Sequence, residues 1–491
     1  HVRIAMEALD QLLLACHCQS INLFVESFLK MVAKLLESEK PDLQILGTNS
    51  FVKFANIEED TPSYHRSYDF FVSRFSEMSH SGHHDPDTRA RIRMSGIKGL
   101  QGVVRKTVND ELQANIWEPQ HMEKIVPSLL FNLQHSEERE SRSPSPLERA
   151  EKERETPPEL AERCLRELLG RAAYGNIKNA IKPVLVHLDN HALWEPKVFA
   201  TGCFRIIMYS IQPQHSHLVI QQLLGHLDAN GRSAAPIRAG IVEVLSEAAA
   251  IAASGSVGPT VLEVFNTLLR QLRLSIDSGA RKSRECEERN FQEAVIRTIG
   301  SFAGTLPPYQ QSEVMLFIMN KVPLPSSQHS MEPGNDGENR NRLTQAMLLK
   351  SLLQVSAGFQ SSSMLTALPS TFLDRLLSAA LLDDPEIRLF VLEILGTFID
   401  RRGNRHKLSP GSAAGDVAAL KLKVEKCSRQ DSVFMKKHGQ QLFRHIFLAS
   451  KEEKNSRDHF QALFRLLALL SLELGTEEVL VDLVRLVLAL Q

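Results

Sequence analysis

The chain is 491 residues long, 43% hydrophobic and 23% charged, with a formal net charge of −1. That is an ordinary soluble composition, and near-neutrality excludes a global field that would gather nucleic acid or an anionic membrane, so any such surface must be local. Length alone predicts about three domains, unless a repeat array runs through as one body.

Six cysteines (Cys16, Cys18, Cys164, Cys203, Cys286, Cys427) are scattered without a Cys-x-x-Cys pair, a usage that favours reduced thiols in the cytosol. No apolar run approaches the roughly 18 residues of a membrane span; Ala462 to Leu474 is too short and interrupted. No signal-peptide pattern is present. The chain opens at His1 inside a helical pattern, and the expectation is a fragment without its natural start.

In chain order, residues 1–18 and 21–36 read as a first helical pair, with Pro41 closing it. The stretch from Leu46 to Phe75 reads as helix, polar corner, helix. Leu46, Phe51, Phe54 and Ala55 make the apolar side of its first helix. Ile57 to Pro62 ends that helix, because proline lacks the donor and disfavours the α region at the residue before it. Phe70, Phe71, Val72 and Phe75 carry the second helix. Neither helix is long enough to bury its face alone, so each pair needs neighbours. A third pair opens at Asp85-Pro86-Asp87-Thr88-Arg89 through an acidic cap and a proline near N1. Ile92, Gly96, Leu100 and Val103 form its buried stripe, and its partner runs from near Pro119 to Leu133.

Residues 134–158 are charged, serine- and proline-rich and nearly free of large apolar side chains, which predicts a disordered loop. Shorter interruptions fall at 275–289, 323–341 and 401–416. First helices of further pairs are predicted to start near Asp42, Asp87, Glu159, Lys197, Ala234, Asn290, Asn341, Pro385 and Asp458. Uninterrupted steps are 45 (42 to 87), 38 (159 to 197), 37 (197 to 234) and 44 (341 to 385), around the roughly 40–47 residues of HEAT and armadillo units. Pro236 to Arg238 and Pro385 to Arg388 repeat the proline-to-arginine opening, and such arginines are expected to pack along the seam between repeats. Strand patterning is nearly absent. The expected fold is all-α, an elongated α-solenoid of armadillo/HEAT-like repeats. Its expected segments are 1–133 and 159–400 helical, 134–158 a disordered loop, 401–416 a basic loop, and 417–491 helical again.

Several long segments of this array give the chain a family likeness: it resembles the Rolling blackout family, also called eighty-five-requiring-three. The stretches that carry the likeness are IAMEALDQLL (Ile4 to Leu13), LGTNSFVKFANIEEDTPSYHRSYDFFVSRF (Leu46 to Phe75), GVVRKTVNDELQANIWEPQHMEKIVPSLLFN (Gly102 to Asn132), GPTVLEVFNTLLRQLRLS (Gly258 to Ser275) and FMKKHGQQLFRHI (Phe434 to Ile446). The resemblance implies a non-enzymatic scaffold at the cytoplasmic face of the plasma membrane. It would recruit the type III alpha phosphatidylinositol 4-kinase complex through that complex's tetratricopeptide-repeat and hyccin-type subunits. Family members carry an N-terminal cysteine cluster for palmitoylation and a C-terminal tail that meets the kinase complex. This chain starts after the first and stops before the second, so the expectation is the central rod, cytosolic when isolated. Two other readings stay open: a generic armadillo-like adaptor in membrane traffic, and a lipid hydrolase.

The sites are weighed residue by residue. A hydrolase elbow needs Gly-x-Ser-x-Gly; Gly255 to Gly258 and Gly300 to Gly304 have the wrong spacing, and Ser27-x-x-Lys30 has no companion motif. No catalytic residue, cofactor or metal is assigned. His80, His83, His84, Asp85 and Asp87 cluster in an exposed corner, where the acids are explained as caps; Cys16-His17-Cys18 is read as the end of an apolar face. Arg91, Lys98 and Arg105, seven apart in a segment free of acids, are expected to share one exposed stripe for anionic inner-leaflet lipid or a partner, each contributing about 1 kcal/mol near such lipid. From Arg401 to Arg444 there are 11 Lys+Arg against three acids, a second basic region. Missing aromatic interleaving argues against nucleic acid. Ser143, Ser145 and Thr156, each before a proline, are candidate phosphorylation sites, each of which would add about −1.5 to −2 charge.

Overall fold

A computed structural model covers the chain and describes residues 1–16, 22–57, 68–106, 116–140, 155–252, 261–278, 284–324, 335–359, 363–408 and 417–491. Residues 141–154 of the predicted disordered loop and 409–416 of the predicted basic loop lie outside the described residues. Among the described residues the regular structure is helical, with no strand. Two compact units divide it, His1–His226 and then Leu227–Ala253 with Thr260–Gln491. The division falls near the end of a helix, away from the 134–158 segment that composition marked.

The first unit contains α1 (Val2–Cys16), α2 (Asn22–Leu36), α3 (Pro41–Ala55), α4 (Tyr68–Ser79), α5 (Pro86–Arg105), α6 (Pro119–Glu140), α7 (Pro157–Arg171), α8 (Ile177–Asn190), α9 (Val198–Ser210) and most of α10 (Ser216–Ala229). Alternate helices stack: α1, α3, α5, α7 and α9 form one layer, and α2, α4, α6 and α8 form the other. The second unit repeats this with α11 (Ala235–Ala252), α12 (Val261–Asp277), α13 (Glu285–Gly304), α14 (Pro308–Asn320), α15 (Asn335–Ala357), the single turn α16 (Met364–Ala367), α17 (Ser370–Ala379), α18 (Pro385–Ile399), α19 (Arg429–Ser450), α20 (Arg457–Leu474) and α21 (Glu477–Leu490). Here α11, α13, α15, α18 and α20 stack in sequence. The nine helix starts predicted from the sequence are those of α3, α5, α7, α9, α11, α13, α15, α18 and α20, all in these two equivalent layers. The offsets are largest for α13 and α15, whose first turns are polar and give no apolar signal.

Further boundaries differ from expectation. Pro41 opens α3 rather than closing a pair, since a proline at N1 gives up only a donor that has no helical partner there. Helix α6 continues to Glu140, past the predicted stop at Leu133. Thr156 is an ordered helix cap and not loop: the Glu159 side chain accepts its backbone N–H at 2.9 Å, with Pro157 at N1 of α7.

The joint between α3, α4 and α5 explains the sequence around Phe51. Phe51 lies 4.7 Å from Phe71 and 4.9 Å from Phe75, centroid to centroid, and all three are buried. Each such burial contributes about 1.5–3 kcal/mol. Room for the rings comes from α5. A Cβ at Gly99 would overlap the Phe75 ring, and one at Gly96 would stand 2.6 Å from the Ser79 nitrogen. Leu46 is only half-buried, whereas Thr48 and Ser50 are enclosed, because α3 is covered by both α2 and α5 and small side chains fit between them. Gly300 acts similarly in α13, where a Cβ would meet Gln354 at 2.8 Å; it is a close helix contact and no part of an elbow. Gly255 to Gly258 lie outside the described residues.

Candidate interaction surface

Within each unit, the stacked layer that begins with the proline-opened helices is laced by ion pairs between consecutive members. In the first unit Lys53 Nζ reaches Asp10 at 2.7 Å, Arg91 Nη2 reaches Asp42 at 3.1 Å, and Arg105 Nε reaches Glu167 at 2.9 Å. In the second, Arg297 pairs with Glu243 at 3.4 Å, Lys350 with Glu293, Arg342 with Asp384, and Arg465 with Glu393 at 3.7 Å. Each rung joins neighbouring repeats, and most of its members are at least partly exposed. Exposed pairs contribute about 0–1 kcal/mol, so the ladder does more to fix register than to hold the stack.

This ladder decides what the predicted basic stripe can offer. Arg91, Lys98 and Arg105 are all exposed on α5, as the sevenfold spacing implies. Arg91 and Arg105, however, are engaged by Asp42 of α3 and Glu167 of α7, while Gln101 also donates to Glu167 at 3.0 Å. Among the described residues Lys98 meets no carboxylate. The partners Asp42 and Glu167 lie 49 and 62 residues from their arginines, beyond any local pattern in the sequence.

The second basic region changes more. Its first arginines are half-buried and paired. Arg401 Nη2 pairs with Asp431 at 2.9 Å, Arg402 with Glu473 and, at 2.9 Å, with Glu425, and Arg405 with Glu393. Glu473 and Asp431 are each 1% exposed. Burial pushes the Glu473 carboxyl up, against the pull of Arg402 and Arg401. Nothing in Ser471-Leu472-Glu473-Leu474 announced a buried acid, since it sits in an otherwise apolar helical run. Lys421, Lys423, Lys426 and Arg429 remain exposed. The buried Asn404 amide clamps this segment, accepting from the Lys423 N–H at 2.9 Å and donating to its carbonyl at 2.8 Å.

The seam arginines behave as the opening motif implies. Arg238 lies 4.4 Å over the Phe291 ring and pairs with Glu288. Arg388, 1% exposed, donates to the Leu382 carbonyl at 3.0 Å and to Asn455 Oδ1 at 3.2 Å. Arg89, half-buried, donates to the His83 carbonyl at 3.1 Å.

The histidine corner is taken up by structure. Asp85 caps α5 by accepting the Thr88 N–H at 2.9 Å, and bonds from Thr88 hold its carboxyl below the usual range. His83 Nδ1 accepts the Asp85 N–H at 3.2 Å, and His80 packs on Phe131. Among the described residues no three His, Cys, Asp or Glu side chains converge to hold a metal ion. His17 and Cys18 lie outside the described residues, as do Ser143 and Ser145. Ser27 is exposed on α2 and Lys30 is paired with Glu26 at 3.0 Å. No helix is long and apolar enough to cross a membrane among the described residues.

Paired helical layers, proline-opened repeats and seam arginines define an armadillo-type α-solenoid. Over residues 1–491 the chain matches the family described as EFR3, armadillo repeat, and it belongs to that family, the one its sequence resembles. It is 77% identical over 503 residues to Protein EFR3 homolog B of Mus musculus, covering 100% of this chain and 62% of that protein. It is 58% identical over 508 residues to Protein EFR3 homolog A of Homo sapiens (100% and 62%), and 45% identical over 497 residues to Protein EFR3 homolog cmp44E of Drosophila melanogaster (99% and 57%). The chain thus spans about three fifths of the length of these curated relatives. Among solved structures, the karyopherin Kap121p bound to the extreme C-terminus of the protein phosphatase Cdc14p aligns with a TM-score of 0.44 and 11% identity, over 100% of this chain and 44% of that one. A likeness of that degree says nothing about partner or activity.

Proposed function

We propose that the chain is a non-enzymatic scaffold, the repeat region of a peripheral protein at the cytoplasmic face of the plasma membrane. There it positions the type III alpha phosphatidylinositol 4-kinase complex beside its lipid substrate. The observation that carries this reading is family membership across the whole chain, joined to a surface made of inter-repeat rungs and exposed basic side chains. The mechanism is tethering: a kinase held near the bilayer samples substrate at a raised effective concentration, and no bond is made or broken by the scaffold. Partners in this reading are the complex's tetratricopeptide-repeat and hyccin-type subunits, with anionic inner-leaflet lipid as the second contact and acylation of the longer protein as the anchor. One acyl chain binds only marginally, so a basic surface is its natural complement.

Flotation with liposomes containing or lacking phosphatidylserine tests the lipid contact. The chain should float weakly and only with the anionic lipid, and less as salt rises. Since Arg91 and Arg105 are shared with carboxylates, Lys98→Glu should weaken flotation more than either arginine reversal; equal flotation of the triple reversal at low salt removes the stripe from the proposal. For the kinase contact, a protein of the relatives' full length should co-purify with the tetratricopeptide-repeat subunit from cells, and failure to do so defeats the scaffold reading.

A further inference from the structure

A cavity of about 720 Å³ opens in the second unit at the C-terminal ends of α15 and α18. Its walls include Leu353, Phe359 and Phe398 on the apolar side and Glu393, Thr397 and Asp400 on the polar side. Phe359 and Phe398 meet edge to face at 5.7 Å. Helices α15 and α18 are parallel: Arg342 near the start of α15 pairs with Asp384, the cap of α18, while the last turns of both line the cavity. Both negative helix ends therefore bear on one space.

The side-chain charges there do not cancel in the same way. Arg401 faces the cavity but pairs with Asp431, and Arg405 pairs with Glu393 and donates to Thr397 Oγ1 at 2.6 Å. Asp400 is different. It accepts the backbone N–H groups of Asn404 at 2.7 Å and Arg405 at 3.0 Å, and it meets no cationic side chain within ion-pair distance among the described residues. A half-buried carboxylate without a counter-cation, two helix C-termini and an aromatic pair make a site whose missing component is a positive charge on an apolar stem.

We propose that this cavity receives a lysine or arginine side chain presented by a partner polypeptide, its methylene stem along Leu353 and the two phenylalanines and its head at Asp400. The proposal does not rest on the membrane reading, because it concerns a polypeptide contact on the second unit and no lipid.

The test is fluorescence anisotropy of fluorescein-labelled hexalysine with the full 491-residue chain at low ionic strength, with labelled hexaglutamate as the opposite-charge probe. Hexalysine should bind and hexaglutamate should not. Asp400→Asn should weaken hexalysine about three- to five-fold, the range of a partly exposed ion pair. Ala357→Trp, which fills the mouth from an exposed lining position without altering charge or the Asp400 turn, should weaken it at least as much. Glu453→Gln, an exposed acid elsewhere on this unit, should leave it within about two-fold, as a rim charge of little weight. No hexalysine binding to the parent chain, or equal binding to the parent and to Ala357→Trp, overturns the proposal.

Discussion

The α4–α5 joint of the first unit and the α18–α20 joint of the second solve one problem by opposite chemistry. At the first, Gly96 and Gly99 let α5 approach so closely that the Phe75 ring lies where a Cβ would be, and the contact is dry. At the second, Arg388 reaches Asn455 just before α20 and Arg402 reaches Glu473 on α20, while Arg401 ties in Asp431 of α19. A dry joint is limited by volume and tolerates no added carbon. A charged joint is limited by pairing and tolerates no lost partner. Repeat proteins hold by nearest-neighbour interfaces, so each kind of damage should stay local at first.

The sharpest way to break the comparison is Glu473→Ala. It removes the buried partner of Arg402 and leaves that arginine to the exposed Glu425, while Arg401 keeps Asp431; the cost should be about 3 kcal/mol, the low end for a broken buried pair, read as a fall in the urea midpoint. A loss below about 1 kcal/mol, the value of an exposed pair, would show that the charged joint is solvated and the contrast false.

A buried histidine on α8 of the first unit comes next. His187 is 4% exposed and its Nε2 finds no hydrogen-bond partner among the described residues. Burial first, then His191 and His80, push its pKa down to about 4. The unfolded chain titrates near 6.5, so between those values it binds the proton that the folded chain refuses. Stability from this group is therefore complete above about pH 6.5 and lost as pH falls toward about 4, by up to about 3 kcal/mol. His187→Gln should flatten urea stability over that window; an unchanged slope would assign the loss to other groups.

Gly99→Val should cost about 1–3 kcal/mol through overpacking against Phe75, visible as faster amide exchange in α4 and α5 before global unfolding. If Gly99→Val proves harmless, α5 can shift and the joint is not volume-limited. The smallest effect belongs to the ladder: Asp42→Asn should change stability by no more than about 1 kcal/mol and lose even that in about 1 M salt. Its more visible consequence would be a freed Arg91 and stronger flotation with anionic liposomes.

Much of the architecture was legible because it is written locally. Proline at N1, a capping acid and an apolar stripe mark a helix start within a few residues, and that is why Pro86 and Pro385 could be placed; Pro157, at N1 of α7, falls instead in the stretch whose composition reads as loop. The polar first turns of α13 and α15 and the length of α6 were harder, since a helix can continue through charged residues once its other turns are packed. Of the candidate site, spacing placed Arg91, Lys98 and Arg105 on one exposed face of α5.

By itself the sequence determined the helical repeat, its proline-to-arginine openings and the family likeness, all of which depend on residues a few positions apart. Only the tertiary structure decided which charges are spent. Asp42, Glu167, Asp431 and Glu473 find their arginines 49, 62, 30 and 72 or 71 residues away (Arg401 or Arg402 for Glu473), and Asp400 finds none among the described residues. The reason is physical: a pair across a repeat seam exists only when stacking sets the register of two helices, and that register is a property of the packed layer.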